Sequence, residues 1–435
     1  MVNELLSDSE EDVKIKQIQK RTNKLAISLL KILIFLVVCF VLGSIPVVTY
    51  ILLSKREINS LEFFTFYPMI SITFGATVPF VIPYSKKNES GYSELSQLLH
   101  RIALDNYQIS EKLFKRETQK IKRKQYKSRK DFVIISGLAR AGTTSLMNDL
   151  SKINKLVTLS YANMPFLMSP NLWAKFYKPR TKHLKERSHK DGIMIGYNSN
   201  EALEEYFFKV KANDSFIHET YLSAYKISEK DYIDYLDYQT NIKHDNTKIY
   251  LAKNNNFILR YNSIREFNDD FIMVILYRDP VTHAASLLEK HQYYSALQKK
   301  DPFILDYMNW LGHHEFGLNH KPFIFSDTYF LNSTNKDSID YWLKTWINYY
   351  NYVLTIRHPN TLLVNYSTYC KNPENVIKLI ANKVGIQTII PEYKPFKNIR
   401  SENSYASKEL LEEAQSIYIR LQSHLNSGLK YTGLN

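Results

Sequence analysis

The feature that most constrains this chain is a short apolar run, DFVIIS (131–136), followed at once by GLARAGTTSLMNDLSK (137–152). β-Branched and apolar residues in so short a run read as a buried strand. The segment behind it reads as a glycine loop opening a helix near Thr143. A strand that feeds a helix through a tight loop is the entry of a βα unit, and such units build parallel sheets covered by helices. The expected fold is therefore α/β: a three-layer, P-loop-like domain with a mainly parallel sheet, its ligand at the strand carboxyl ends. Flanking helices are expected over Trp342 to Ile356 and Pro373 to Val384, and a late strand over Thr361 to Asn365.

The loop itself speaks to chemistry. Gly137 and Gly142 stand five residues apart, the spacing of a nucleotide-phosphate loop. Free N–H groups and the positive end of a helix dipole suit an anion there. A nucleoside-triphosphate loop would carry lysine where Thr143 stands. In this chain the cation is Arg140, earlier in the loop, with the hydroxyls of Thr143, Thr144 and Ser145 able to donate to anionic oxygens. A degenerate kinase or GTPase loop remains an open reading of this motif alone.

A second element lies further on. FIMVILYRDPVTHAASLLEKH (271–291) reads as a buried strand through Tyr277, then a turn, then a helix. Arg278, at the strand's carboxyl end, offers a planar fork to a phosphate. Ser286, eight residues later, adds a hydroxyl from the helix. The plainer reading is a strand-turn-helix with a surface arginine. Upstream, IYLAKNNNFILRYNSI (249–264) places Lys253 just after another short strand.

With these segments in view, the chain resembles the sulfotransferases that use 3′-phosphoadenosine 5′-phosphosulfate (PAPS). ARAGTTSL (139–146) is similar to their 5′-phosphosulfate loop, and Arg278 and Ser286 to the pair that grips the nucleotide 3′-phosphate. The resemblance implies cofactor-binding roles for Arg140, Ala141, Gly142, Thr143, Thr144, Ser145, Arg278 and Ser286. It also implies that Lys253 contacts the bridging oxygen of the donor. Cytosolic members carry a catalytic histidine two residues after that lysine; Asn255 stands here, so that mechanism does not transfer. HKDGIMIGYNSNEALEEYFF (189–208), YMNWLGHHEFGLNHKPF (307–323) and YWLKTWINYYNYVL (341–354) are similar to bacterial members associated with surface-glycan biosynthesis. LLVNYSTYCKNPENVIKLIANKVGI (362–386) is similar to the family's closing strand and helix, with Ser367 where a glutamate is usual. The implied reaction is sulfuryl transfer to a glycan or glycolipid hydroxyl, with PAPS as co-substrate and no metal.

Sulfuryl transfer needs a held donor, neutralised charge on the leaving phosphate, and a base for the acceptor's proton. Arg140, Lys253 and the loop amides supply the first two. For the third, Glu201, Glu204 and Glu205 fall on one face of an expected helix at i, i+3 and i+4, with Glu204 or Glu205 the candidates. Pairing with nearby lysines is the plainer reading. His313, His314, Glu315 and His320 lack the spacing of a zinc helix. Structural packing is expected there ahead of an acceptor pocket or a metal, and His189 is left unassigned.

The amino-terminal third points to a membrane. Ile32 to Leu53 is 22 uncharged residues and Phe63 to Ser85 is 23, each long enough to span a bilayer as a helix. The second carries Pro68, Gly75, Pro79 and Pro83, and a buried core helix is its plainer reading. Lys14, Lys16, Lys20, Arg21 and Lys24 precede the first run and Lys86 and Lys87 follow the second, which sets both ends in the cytoplasm. The expected organisation is a tail (1–24), two transmembrane helices (25–85), a basic amphipathic helix and linker (86–130) and a sulfotransferase domain (131–435), in the inner (plasma) membrane. The net charge of +14 suits an anionic ligand or lipid surface. Two cysteines, Cys39 and Cys370, offer neither a disulfide framework nor a cysteine zinc site. No groove-reading motif appears, so nucleic acid is not an expected partner. The competing classes are a P-loop kinase or nucleotide hydrolase, and a non-catalytic basic scaffold on a membrane.

Overall fold

The computed structural model describes residues 37, 94–175, 185–186, 194–195, 202–325, 335–387, 392–395 and 406–430. Apart from Val37, both apolar runs of the expected hairpin, along with His189 and Glu201, lie outside the described residues. Among the described residues no helix is long and apolar enough to cross a membrane.

Five strands form the central sheet: β1 (Val133–Ser136), β2 (Leu156–Val157), β3 (Ile249–Lys253), β4 (Ile272–Tyr277) and β5 (Thr361–Asn365). Their order is β2-β3-β1-β4-β5, and every pairing is parallel. The strand and helices expected over 342–384 are present, as Ile339–Val353, Thr361–Asn365 and Pro373–Lys383. Each begins on a recognisable signal. Ser338 caps the first helix through its side chain, and proline occupies the first turn of the last.

Side-chain alternation along the strands divides the interior into two cores. Val133, Ile135, Leu251, Val274 and Leu276 face one side, against Leu146, Met147, Leu150, Ile377 and Ile380. Phe132, Ile134, Tyr250, Met273 and Ile275 face the other. There they meet an aromatic layer that includes Phe207, Phe208, Tyr235, Tyr238, Trp342 and Trp346. Both faces are covered, which is why these strands read as continuous apolar runs.

The amphipathic helix expected within 86–130 is two helices, Glu94–Leu104 and Tyr107–Lys122. The break has a local cause: Asn106 caps the second helix, its side chain accepting from the Ile109 amide at 3.1 Å. Leu104 and Phe114 are buried in the aromatic core, and Tyr206 donates to the Leu104 carbonyl at 3.0 Å. The segment read as a linker is thus packed onto the domain.

Candidate active site

The centre of the sheet determines what converges. Ile135 of β1 pairs with Lys253, the last residue of β3, and Ser136 pairs with Ile275, two residues before β4 ends. The carboxyl ends of three adjacent strands therefore open on one place, where the connection after β1 runs to one side of it and the connection after β3 crosses to the other. From β1 comes the glycine loop, from β3 Lys253, and from β4 Arg278.

The loop has little freedom. Gly137 has φ +144°, and a Cβ there would lie 2.7 Å from the Leu276 carbonyl oxygen. Gly142 has φ +100°, and a Cβ would sit 2.2 Å from the Tyr366 ring. Between them Arg140 takes φ +69°, an unusual state for a residue with a side chain and one that costs energy. The helix Thr143–Leu150 starts directly on Gly142, with no side chain capping it. Its first turn thus offers amides, together with the Thr143, Thr144 and Ser145 hydroxyls, to a ligand at the loop.

Around this loop the cations are held in a chain of contacts. Lys253 Nζ donates to Thr144 Oγ1 at 2.8 Å, both residues being buried. Arg140 Nε donates to Ser286 Oγ at 3.2 Å. Arg278 Nη1 donates to the Arg140 carbonyl at 3.4 Å, and its guanidinium lies 5.3 Å from the Tyr366 ring centre. His283 Nε2–H donates to the Ala139 carbonyl at 2.7 Å. Burial first, then the Arg278 charge, push its pKa down to about 3, so it is neutral support for the loop. Burying positive groups is expensive unless negative charge offsets it. A multiply charged anion bound here would supply that charge.

Of the residues expected to grip the donor, Arg140, Ala141, Gly142, Thr143, Thr144 and Ser145 are on this loop and its helix, Arg278 is at a flanking strand end as is Lys253, and Ser286 is on the helix that follows β4, Pro280–Lys300. The expected glutamates are on none of these. The helix begins at Glu205, with Glu204 as its flanking residue, so the two side chains diverge. Glu205 receives both arms of Arg260, at 2.5 and 2.7 Å, with neither side chain open to solvent. Phe208, Phe216 and Tyr225 enclose that guanidinium. Glu205 is an internal anchor and not the expected base, because its charge is already neutralised by a buried partner. Glu204 is 2 % exposed, accepting from Tyr235 and from Asn254 Nδ2 at 3.0 Å. Burial outweighs those hydrogen bonds and raises its pKa to about 7. Enclosed in this way, it too fails to meet an acceptor as expected.

Sequence reasoning passed over the asparagines that follow Lys253. Asn254 holds Glu204, Asn255 Nδ2 donates to Glu315 Oε1 at 3.4 Å, and Asn256 Nδ2 donates to the Gly312 carbonyl at 2.9 Å. Asn255 and Asn256 thus tie the end of β3 to the Gly312–Glu315 turn. Three polar residues in a row directly behind a buried strand were the available signal. Of the histidines, His314 donates to the Asn319 carbonyl at 3.0 Å, and His320 bonds the His314 carbonyl and the Tyr341 hydroxyl. Burial lowers their pKa values to about 4 and about 3, as suits neutral packing groups. His313 differs: its Nδ1 faces Glu315 Oε1 at 3.5 Å, and its side chain is 21 % exposed. Among the described residues no group of side chains is arranged to hold a metal ion.

Comparison with known proteins gives structural likeness only. No protein-family model matches the chain, and neither does any curated protein. Among solved structures, a sulfotransferase from Alicyclobacillus acidocaldarius aligns at 12% identity and TM-score 0.32, covering 68% of this chain and 96% of that one. STF1 from Mycobacterium tuberculosis H37Rv aligns at 12% and 0.34, covering 76% and 82%. STF9 from Mycobacterium avium aligns at 10% and 0.35, covering 70% and 78%. All three are sulfotransferases.

Proposed function

We propose that this protein is a membrane-anchored sulfotransferase that moves a sulfuryl group from PAPS to a hydroxyl of a cell-envelope glycan or glycolipid. The observation that carries the proposal is the continuity of the two anion clamps. Thr144 joins Lys253, Arg140 joins Ser286, and Arg278 joins the Arg140 carbonyl, so both clamps border one loop. PAPS is negatively charged at both its 3′ and 5′ positions, which suits clamps placed this way.

In the proposed reaction, the loop amides, Thr143, Thr144 and Ser145 hold the 5′-phosphosulfate, while Arg278, Ser286 and Arg140 hold the 3′-phosphate. The acceptor oxygen attacks sulfur, and the bond from sulfur to the bridging phosphate oxygen breaks. Lys253 neutralises the negative charge that grows on that oxygen. Preorganised charge of this kind acts where charge develops in the transition state. The products are a sulfate ester and 3′,5′-bisphosphoadenosine (PAP), and the acceptor's proton passes to a base. Thr143 at the position of the phosphotransferase lysine weighs against the kinase or hydrolase alternative.

Attachment to a bilayer is part of the same proposal. Every Lys and Arg from Lys112 to Lys130 except Arg129 is exposed, as are Leu98 and Ile102, one helical turn apart. Basic and apolar groups displayed together suit an anionic bilayer surface, and an inner-membrane location with the domain in the cytoplasm follows.

Titration of the purified full-length protein with PAP and with ATP tests the proposal. PAP is expected to bind and ATP to bind far more weakly. Arg278→Ala should weaken PAP by about 10- to 100-fold, the range of a charge-assisted contact of about 1.5–3 kcal/mol. Equal affinity for ATP and PAP, or an unchanged Arg278→Ala protein, would return the kinase or scaffold readings to the front. Sulfur-labelled PAPS supplied to membranes that carry the protein then shows which envelope fraction takes the label.

A further inference from the structure

The proposed reaction leaves one role unfilled: the group that takes the acceptor's proton. We infer that His313 is this general base and that Glu315 orients it, an assignment that rests on the sulfotransferase reading of the site.

Among the described residues that follow Lys253 or pack near the loop, most candidate groups are already engaged. Asn255, two residues on, carries an amide and cannot accept the proton. Glu205 is neutralised by Arg260, and Glu204 is enclosed by Tyr235 and Asn254. His283 lies beneath the loop on the Ala139 carbonyl, and His314 and His320 are buried in the packing behind Trp342 and Tyr341. His313 is different in exposure and in partner. Its backbone is fixed independently of its ring. Gly312, at φ +72°, makes the turn directly over Glu205, where a Cβ would lie 2.7 Å from the Glu205 Cγ. Asn256 grips the Gly312 carbonyl, and Asn319 Nδ2 donates to the His313 carbonyl at 2.9 Å.

Glu315 Oε1 faces His313 Nδ1 at 3.5 Å and also accepts from Asn255 Nδ2 at 3.4 Å. Burial alone would raise the Glu315 pKa. The opposing influence of His313, joined by the Lys253 charge, wins and holds it at about 2. An ionised carboxylate on Nδ1 orients the ring and stabilises the imidazolium that forms when Nε2 takes a proton. Glu315 also feels Lys253, so the base and the cation that steadies the leaving group share one short network. The contacts are long for hydrogen bonds, as is common before substrate closes a site. In the completed step the acceptor oxygen bonds to sulfur, its proton goes to His313 Nε2, and the electrons of the breaking S–O bond leave on PAP.

The test uses the full-length protein with labelled PAPS and a detergent extract of the cell envelope as acceptor, counting PAP released. Calorimetric binding of PAP runs in parallel. His313→Gln is expected to slow turnover by about 10²- to 10⁴-fold while PAP binds within twofold of wild type. The rise of rate with pH that depends on an unprotonated base should vanish in that variant. Glu315→Gln should keep that rise but move it to lower pH, since Glu315, the partner of Nδ1, brings a negative charge that favours the protonated ring, while Lys253 and Asn255 lie against Glu315. That movement is one a merely structural role would not produce. A His313→Gln protein that binds PAP and turns over within twofold of wild type overturns the assignment and leaves the sulfotransferase reading intact. A wild-type protein that does not bind PAP removes both.

Discussion

The donor and acceptor halves of the proposed site are built by different means. The donor half is local: a strand, a six-residue loop and a helix, contiguous from Val133 to Leu150, with Lys253 and Arg278 added from adjacent strand ends. The acceptor half is assembled from distant pieces. Glu204 and Glu205 begin one helix, the three asparagines and Arg260 follow β3, and Gly312 to Glu315 follow another helix. Positive φ angles at Gly137, Arg140 and Gly142 shape the donor half, whereas a buried ion pair and side-chain amides shape the acceptor half. The lesson is that recognising a polyanion takes backbone and a few cations in sequence order, while placing a base takes a folded interior.

The sharpest way to break this contrast is at the anchor of the acceptor half. Glu205→Ala leaves Arg260 buried without its counter-charge, and chemical denaturation should show a loss of about 3–5 kcal/mol. A near-neutral result would mean that the pair does not hold the Gly312 turn. Next in size is Lys253→Ala, which in the proposed reaction removes charge stabilisation of the leaving phosphate. Turnover is expected to fall by about 10²- to 10³-fold with PAP affinity changed far less. If binding and turnover fell together, Lys253 would belong to donor recognition alone.

The smallest effect concerns Glu204. Its pKa is raised from its usual 4.5 to about 7, so the folded protein binds more protons than the unfolded chain between those values. Stability contributed by the neutral acid is therefore full below about pH 4.5 and is lost as pH rises toward 7. The slope is at most about 1.4 kcal/mol per pH unit. Glu204→Gln should flatten that part of the pH–stability curve, as measured by urea denaturation across the range. An unaltered curve would show that Tyr235 and Asn254 already keep the carboxylate charged.

Much of the donor half was legible in the chain itself. DFVIIS before a glycine loop forces a βα entry, and the Gly142-Thr143-Thr144 order places hydroxyls on the first turn of a helix. The cap at Asn106 was equally local, yet the run of apolar residues on either side of it concealed the break between two helices. Glu204 and Glu205 misled because periodicity gives the face of a helix but not where that helix starts, nor which cation waits inside. Nothing near Glu205 in sequence announces Arg260, 55 residues away.

What the sequence determined by itself is thus the α/β class, the strand ends that carry Lys253 and Arg278, and the glycine loop that opens a helix. These follow from local rules: β-branched apolar runs, glycine at left-handed φ, and amides at a helix start. Only the tertiary structure decided which carboxylate is an anchor, which histidines are packing, and which imidazole stands beside Lys253's network. Those identities depend on burial and on partners far apart in the chain, and solvation energy is a property of the folded surroundings that no short window of residues contains.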